Sequence, residues 1–88
     1  MNNTWNEALI VEQIQNILYK SFNINLANEP GAMHIGDLGL DSMGILDVIM
    51  SIEDIIGQKI SEIDLPKNPT VSDVAKMVIN NIKATNND

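Results

Sequence analysis

The chain has 88 residues, with 12 Asp and Glu against 5 Lys, and its net charge of −7 comes without a single Arg. That length predicts one domain over 1–88 and excludes a two-domain enzyme, while the scattered Lys20, Lys59, Lys67, Lys76 and Lys83 exclude nucleic-acid binding, which needs a clustered basic face. Zero cysteines exclude disulfides, thiolate metal sites and cysteine nucleophiles, and no apolar run reaches the roughly 18–20 residues that span a bilayer.

Thr4-Trp5-Asn6-Glu7 has the form of a capping box, with Thr4 capping an amide and Glu7 reaching back. Leu9, Ile10, Ile14, Ile17 and Leu18 then repeat at helical spacing, which predicts a first helix over 5–21. The first seven residues lack the basic stretch of a signal peptide, so none is expected. From 23 to 40 the punctuation changes: Asn25, Asn28, Pro30, Gly31, Gly36 and Gly39 break any helical period and predict a long loop. Loops longer than about 12–15 residues in small domains are usually functional or disordered. Ile24, Leu26, Ile35, Leu38 and Leu40 are expected to pin this one to a core.

Asp41-Ser42 opens a second helix running to Ile56, with Gly57 as its stop. Ser61-Glu62-Ile63-Asp64 reads as a short helical turn cut off by Pro66. Pro69 and Thr70-Val71-Ser72-Asp73 start a last helix that buries Val71, Val74, Ala75, Val78 and Ile82. The polar stretch 83–88 is expected to be a disordered tail. No segment alternates as a strand would. The pattern predicts an all-α four-helix bundle, three helices longer and one short, with its core over 5–82.

The second helix carries two stripes. At about 100° per residue, Ile45, Val48, Ile49, Ile52, Ile55 and Ile56 share one face, expected to be core. Met43, Leu46, Asp47, Met50 and Asp54 fall on the opposite side, where an ordinary surface helix has only polar groups. Apolar residues interleaved with acids describe a contact strip, although single exposed apolar residues need no purpose. Charge concentrates nearby: Asp37, Asp41, Asp47, Glu53, Asp54, Glu62 and Asp64 stand against Lys59 alone between 37 and 64. Such a cluster is commonly just a solvated face, but this one surrounds a loop-to-helix junction that bears Ser42.

Three chemistries can be weighed at Ser42. A nucleophile elbow needs Gly-x-Ser-x-Gly, whereas Leu40-Asp41-Ser42-Met43-Gly44 has only the second glycine, and nothing marks His34 as its base. A calcium loop counted from Asp37 would put Ser42 where glycine must turn and Val48 where a bidentate Glu is needed, so no metal site is expected. The plain reading is a helix-start hydroxyl satisfying a free amide.

Asp37-Leu38-Gly39-Leu40-Asp41-Ser42-Met43 resembles the Asp-Leu-Gly-x-Asp-Ser-Leu/Met signature of acyl carrier proteins. The likeness extends over roughly 11–82, with Asp47, Met50, Glu53 and Asp54 at positions the family fills with partner-facing acids and a methionine. It implies that Ser42 receives a covalent phosphopantetheine arm, donated by coenzyme A through a phosphopantetheinyl transferase. Acyl intermediates would then travel as thioesters between enzymes of fatty-acid or polyketide-type biosynthesis. The chain would be a substrate of those enzymes and no enzyme itself. Asp41, Met43, Leu46, Asp47, Met50 and Asp54 would be read by acyl-loading and acyl-processing enzymes with basic docking patches. A cytoplasmic monomer with no stable membrane insertion is expected.

The match has departures. Gly44 stands where many members carry an acid, and glycine inside a helix costs about 1 kcal/mol relative to alanine, so a looser helix start is expected. Paired glycines before the serine, typical of peptidyl carriers, are missing, which argues against a peptide-synthetase module. A stand-alone carrier of a specialised pathway, aminoacyl carriers included, rivals the primary fatty-acid carrier. An unmodified acidic helical adaptor is the alternative that needs only the contact strip.

Overall fold

The computed structural model describes residues 5–25, 30–61 and 63–85. They form three helices, α1 (Glu7–Phe22), α2 (Ser42–Ile56) and α3 (Val71–Thr85), with two short 3₁₀ turns, Pro30–Ala32 and Ile35–Leu38, between the first two. No strand forms among the described residues; a single bridge pairs His34 with Thr70. None of their helices is long and apolar enough to cross a membrane.

Each helix end has a local cause. Helix α1 starts at Glu7 and not at Trp5, because the Asn6 side chain accepts the Leu9 amide at 2.9 Å. Thr4, assigned the cap by the sequence pattern, lies outside the described residues. The helix ends on Asn23 in the left-handed conformation (φ 58°), and the Ile24 amide returns to the Leu18 carbonyl at 3.0 Å. The Asn23 amide itself donates to the Tyr19 carbonyl at 3.2 Å, a left-handed cap that asparagine tolerates better than most residues. Helix α2 has the expected bounds, with Asp41 as N-cap and Gly57 at φ 76° as its left-handed stop. At the start of α3, Thr70 and Asp73 cap each other's backbone: the Asp73 amide donates to Thr70 Oγ1 and the Thr70 amide to Asp73 Oδ2, both at 3.0 Å. This is a capping box with aspartate in the usual place of glutamate.

Two expectations need correction. The short fourth helix is not formed at Ser61, Ile63 or Asp64; Glu62 lies outside the described residues. Proline at 66 biases the residue before it away from helical backbone, and the Ile60 amide just upstream is already taken by the Glu53 side chain at 2.9 Å. The expected polar tail from 83 is helical as far as Thr85, and 86–88 lie outside the described residues.

The core is almost wholly aliphatic. Ile10, Ile14 and Leu18 of α1, Val48, Ile49 and Ile52 of α2, and Val71, Val74, Ala75 and Val78 of α3 are buried, with Ile35, Ile60 and Met77. No polar or charged residue is buried with them among the described residues. Helix α1 packs against both other helices, and the 30–32 turn packs on α1 and α3. The α1–α2 connection, expected as one long loop, is strapped to the start of α3. The Ile35 amide donates to the Pro69 carbonyl and the Val71 amide to the Met33 carbonyl, each at 2.9 Å. His34 adds its Nδ1 to the Asn68 carbonyl at 3.0 Å. These bonds carry the chain across the bundle and deliver it to the first turn of α2.

Candidate functional site

The site begins at Ile35. The 3₁₀ turn Ile35–Leu38 buries Ile35 and half-buries Leu38 against the core, then stops at Gly39, whose φ of 85° only glycine takes cheaply. The Gly39 amide closes the turn onto the Gly36 carbonyl at 3.2 Å. The chain thus reverses within one residue. Leu40 returns to the core, Asp41 caps α2, and Ser42 becomes its first helical residue, exposed to solvent.

The first residues of any α-helix have amides without an intrahelical acceptor. Here the Ile45 amide reaches the Asp41 carbonyl and the Gly44 amide the Asp41 carboxylate, both at 3.0 Å. The Ser42 and Met43 amides, in the two peptide units that flank the Ser42 backbone carbon, are the first-turn donors that an anion could take. That arrangement favours a negative group by roughly 0.3–1 kcal/mol. A phosphodiester on Ser42 would find the residue exposed at the helix start, with the preceding Asp41 carboxylate accepting the Gly44 amide.

The predicted contact strip is present. Met43 is 69% exposed, Met50 60% and Leu46 43%, while Asp41, Asp47 and Asp54 are exposed beside them. Those on α2 itself, Met43, Leu46, Asp47, Met50 and Asp54, lie on the side opposite Val48, Ile49 and Ile52, and Asp41 precedes the helix as its N-cap. Towards the C-terminal end, Asp47, Met50 and Asp54 run into a shallow groove against Phe22 of α1 and Lys59 beyond α2.

Three residues depart from their expected places. Glu53, placed among partner-facing acids by the resemblance, is half-buried and holds the Ile60 amide. Ile55, expected in the core, is 40% exposed, because it sits at the edge of the buried stripe in the last turn, where Gly57 redirects the chain. Gly44, expected to loosen the helix start, is instead buried: a Cβ added there would stand 2.8 Å from Leu40 Cδ2. The signal for that contact was an apolar residue one before the cap, which tends to fold back on the first turn. His34, weighed as a base, spends its Nδ1 on the Asn68 carbonyl, and no hydrogen bond joins it to Ser42 among the described residues.

Comparison with known proteins identifies the family. Residues 12–78 match the family model described as the phosphopantetheine attachment site, which includes the Ser42 junction and most of α3. The chain is 32% identical over 73 residues to the acyl carrier proteins of Helicobacter pylori strains G27 and HPAG1, covering 82% of this chain and 94% of those proteins. It is 30% identical over the same span to that of strain ATCC 700392 / 26695. No solved structure matches the chain significantly. An exposed helix-start serine within a matched attachment domain, and relatives covered almost end to end, place the chain in the acyl carrier protein family, whose members hold their cargo on a phosphopantetheine group.

Proposed function

We propose that Ser42 is the residue that receives phosphopantetheine, within one carrier domain. The supporting observation is the placement of Ser42: exposed, first in α2, and directly after the capping Asp41. On this reading the serine is a substrate. A phosphopantetheinyl transferase joins Ser42 Oγ to the phosphate of the arm as the pyrophosphate linkage of coenzyme A breaks, adenosine 3′,5′-bisphosphate leaves, and the hydroxyl proton passes to a base of the transferase. When attached, the group supplies a thiol that holds an acyl chain as a thioester, which this cysteine-free chain cannot do by itself.

The chain's own residues present the hydroxyl and offer a docking face. Gly39 turns the backbone towards α2, Asp41 fixes the first turn, and the first-turn amides of Ser42 and Met43 favour the phosphodiester. Met43, Leu46 and Met50 form the apolar centre of the face, flanked by Asp41, Asp47 and Asp54. Exposed ion pairs contribute about 0–1 kcal/mol each, so basic partners would be guided there and released readily. That behaviour suits a shuttle visiting acyl-loading and acyl-processing enzymes of fatty-acid or polyketide-type synthesis in the cytoplasm.

The test is an intact-mass measurement after incubation with a broad-specificity phosphopantetheinyl transferase and coenzyme A. One arm should be added to the wild-type chain and none to Ser42→Ala. A wild-type chain that gains no mass, or a variant that still gains it, rejects the assignment. If partners still bind Ser42→Ala while the wild type is never modified, the unmodified adaptor replaces the carrier reading.

A further inference from the structure

We propose that Leu40 and Gly44 are a positioning pair for Ser42, the leucine seated on the glycine so as to fix how the hydroxyl is presented to the enzyme that modifies it. The inference rests on Ser42 being the attachment residue. It concerns two residues that neither touch the arm nor belong to the exposed strip.

The contact is close on three sides. A Cβ built on Gly44 would lie 2.8 Å from Leu40 Cδ2, 3.5 Å from Leu40 Cβ and 3.6 Å from Asp41 Oδ1. The two longer separations are ordinary contacts. The shortest is not, so any side chain at 44 must displace the end of the Leu40 side chain. Glycine is disfavoured inside a helix relative to alanine, yet here its missing Cβ is the space that Leu40 fills. The same glycine donates its amide to Asp41 Oδ1 at 3.0 Å. Ser42 is therefore bracketed: Leu40 and Asp41 precede it, Gly44 follows it, and both predecessors are held on that one glycine.

Upstream, Ile35 and Leu38 anchor the 35–38 turn to the core, and Gly39 follows it. Gly39 is left-handed at φ 85° and a Cβ there would meet nothing within 4 Å. The approach to Ser42 is thus an anchored turn, an open glycine, and Leu40, which packs on both the core and Gly44. On this proposal, displacing the end of the Leu40 side chain is what re-aims the hydroxyl two residues on. Group transfer is sensitive to such shifts, since about 1 Å of misplacement can cost up to about 100-fold in rate.

The experiment compares the wild-type chain with Gly44→Ala, Leu40→Ala, the double variant and Ser42→Ala. Transfer kinetics are followed by intact mass with a broad-specificity transferase and coenzyme A. On the unmodified wild-type chain, nuclear Overhauser contacts between Leu40 methyls and Gly44 Hα are measured, with melting temperature and helical content for every variant. The wild type should show the Leu40–Gly44 contact. Gly44→Ala should keep its helical content, lose the native Leu40 methyl environment, and be modified about 5–10-fold more slowly, mainly through kcat. In the Leu40→Ala background the same glycine substitution should change the rate by less than about 2-fold, because the coupled contact is already gone.

Absence of the contact in the wild type overturns the proposal, as does a Gly44→Ala chain modified at the wild-type rate. Equal slowing in both backgrounds also overturns it, since the new methyl would then meet the enzyme directly and not act through Leu40. Failure of the attachment reading looks different: the wild type takes up no arm, or Ser42→Ala does.

Discussion

Glu53→Ala separates two roles that the sequence alone makes indistinguishable. As a partner-facing acid, Glu53 would be expendable to the isolated fold. In the structure its Oε2 accepts the Ile60 amide at 2.9 Å, and Ile60 is only 5% exposed. Its own carbonyl also accepts the Gly57 amide at 2.9 Å, so one residue closes both the end of α2 and the turn that follows. Truncation leaves a buried amide without an acceptor, which costs about 1–3 kcal/mol, and a bond to a charged group lies in the upper part of that range. Taking about 2 kcal/mol, and about 4–8 °C per kcal/mol for a domain of this size, Tm should fall by roughly 8–16 °C. Glu53→Gln keeps a carbonyl oxygen in reach and should lose less than half as much. Asp54→Ala, one residue along but exposed, removes the same charge and should stay within about 0.5 kcal/mol of wild type. The assay is thermal and urea unfolding by circular dichroism, with hydrogen exchange at the Ile60 amide. Equal melting of Glu53→Ala and Asp54→Ala, or unchanged Ile60 protection, would refute the reasoning.

Gly39→Ala must hold an alanine at φ 85° and should destabilise by about 1–2 kcal/mol, read as a lower urea midpoint with an unchanged m-value. Thr70→Ala and Asp73→Ala should each cost about 1 kcal/mol, and the double variant less than their sum because they serve one box; additive losses in the same unfolding assay would mean independent caps. Asp47→Lys should weaken docking of the transferase more at low salt than at high, measured by titration at two ionic strengths. Met50→Glu should abolish docking at both while leaving unfolding unchanged, since Met50 is 60% exposed.

Helix periodicity carried much of this fold, because the buried faces are built from aliphatic residues spaced at three and four. Val48, Ile49 and Ile52 fall where that spacing puts them, and the exposed strip of Met43, Leu46, Asp47, Met50 and Asp54 is its geometric complement. The stops at Gly57 and the start at Asp41 were also legible, since each rests on one residue's local chemistry. What escaped was decided by contacts distant in sequence. The strap joining Met33 and Ile35 to Pro69 and Val71 pairs backbone groups some 34 to 38 positions apart, and no side-chain pattern encodes it. Glu53 looked like any helix-surface acid until its reach to Ile60 was known. The four residues 61–64 suggested a helical turn by composition, but a turn that short gains little from propensity and yields to its surroundings.

The division of labour among the acids bears on how a carrier of this kind is recognised. Seven acids lie between 37 and 64 in the sequence, which suggests a strongly electrostatic face. The structure withdraws one of them, Glu53, which is half-buried and bonded to Ile60, and ties one oxygen of the exposed Asp41 to the Gly44 amide. On α2 itself Asp47 and Asp54 remain exposed, and Lys59 joins them at the groove. Two exposed acids contribute at most about 0–1 kcal/mol each. Burying Met43, Leu46 and Met50 against a partner draws on about 1.5–3 kcal/mol per side chain before the costs of association. On the proposed docking reading, apolar contact would outweigh ion pairing on this face. Its affinity should depend more on the shape of the methionine-rich strip than on charge, and the acids should act mainly on the rate of encounter.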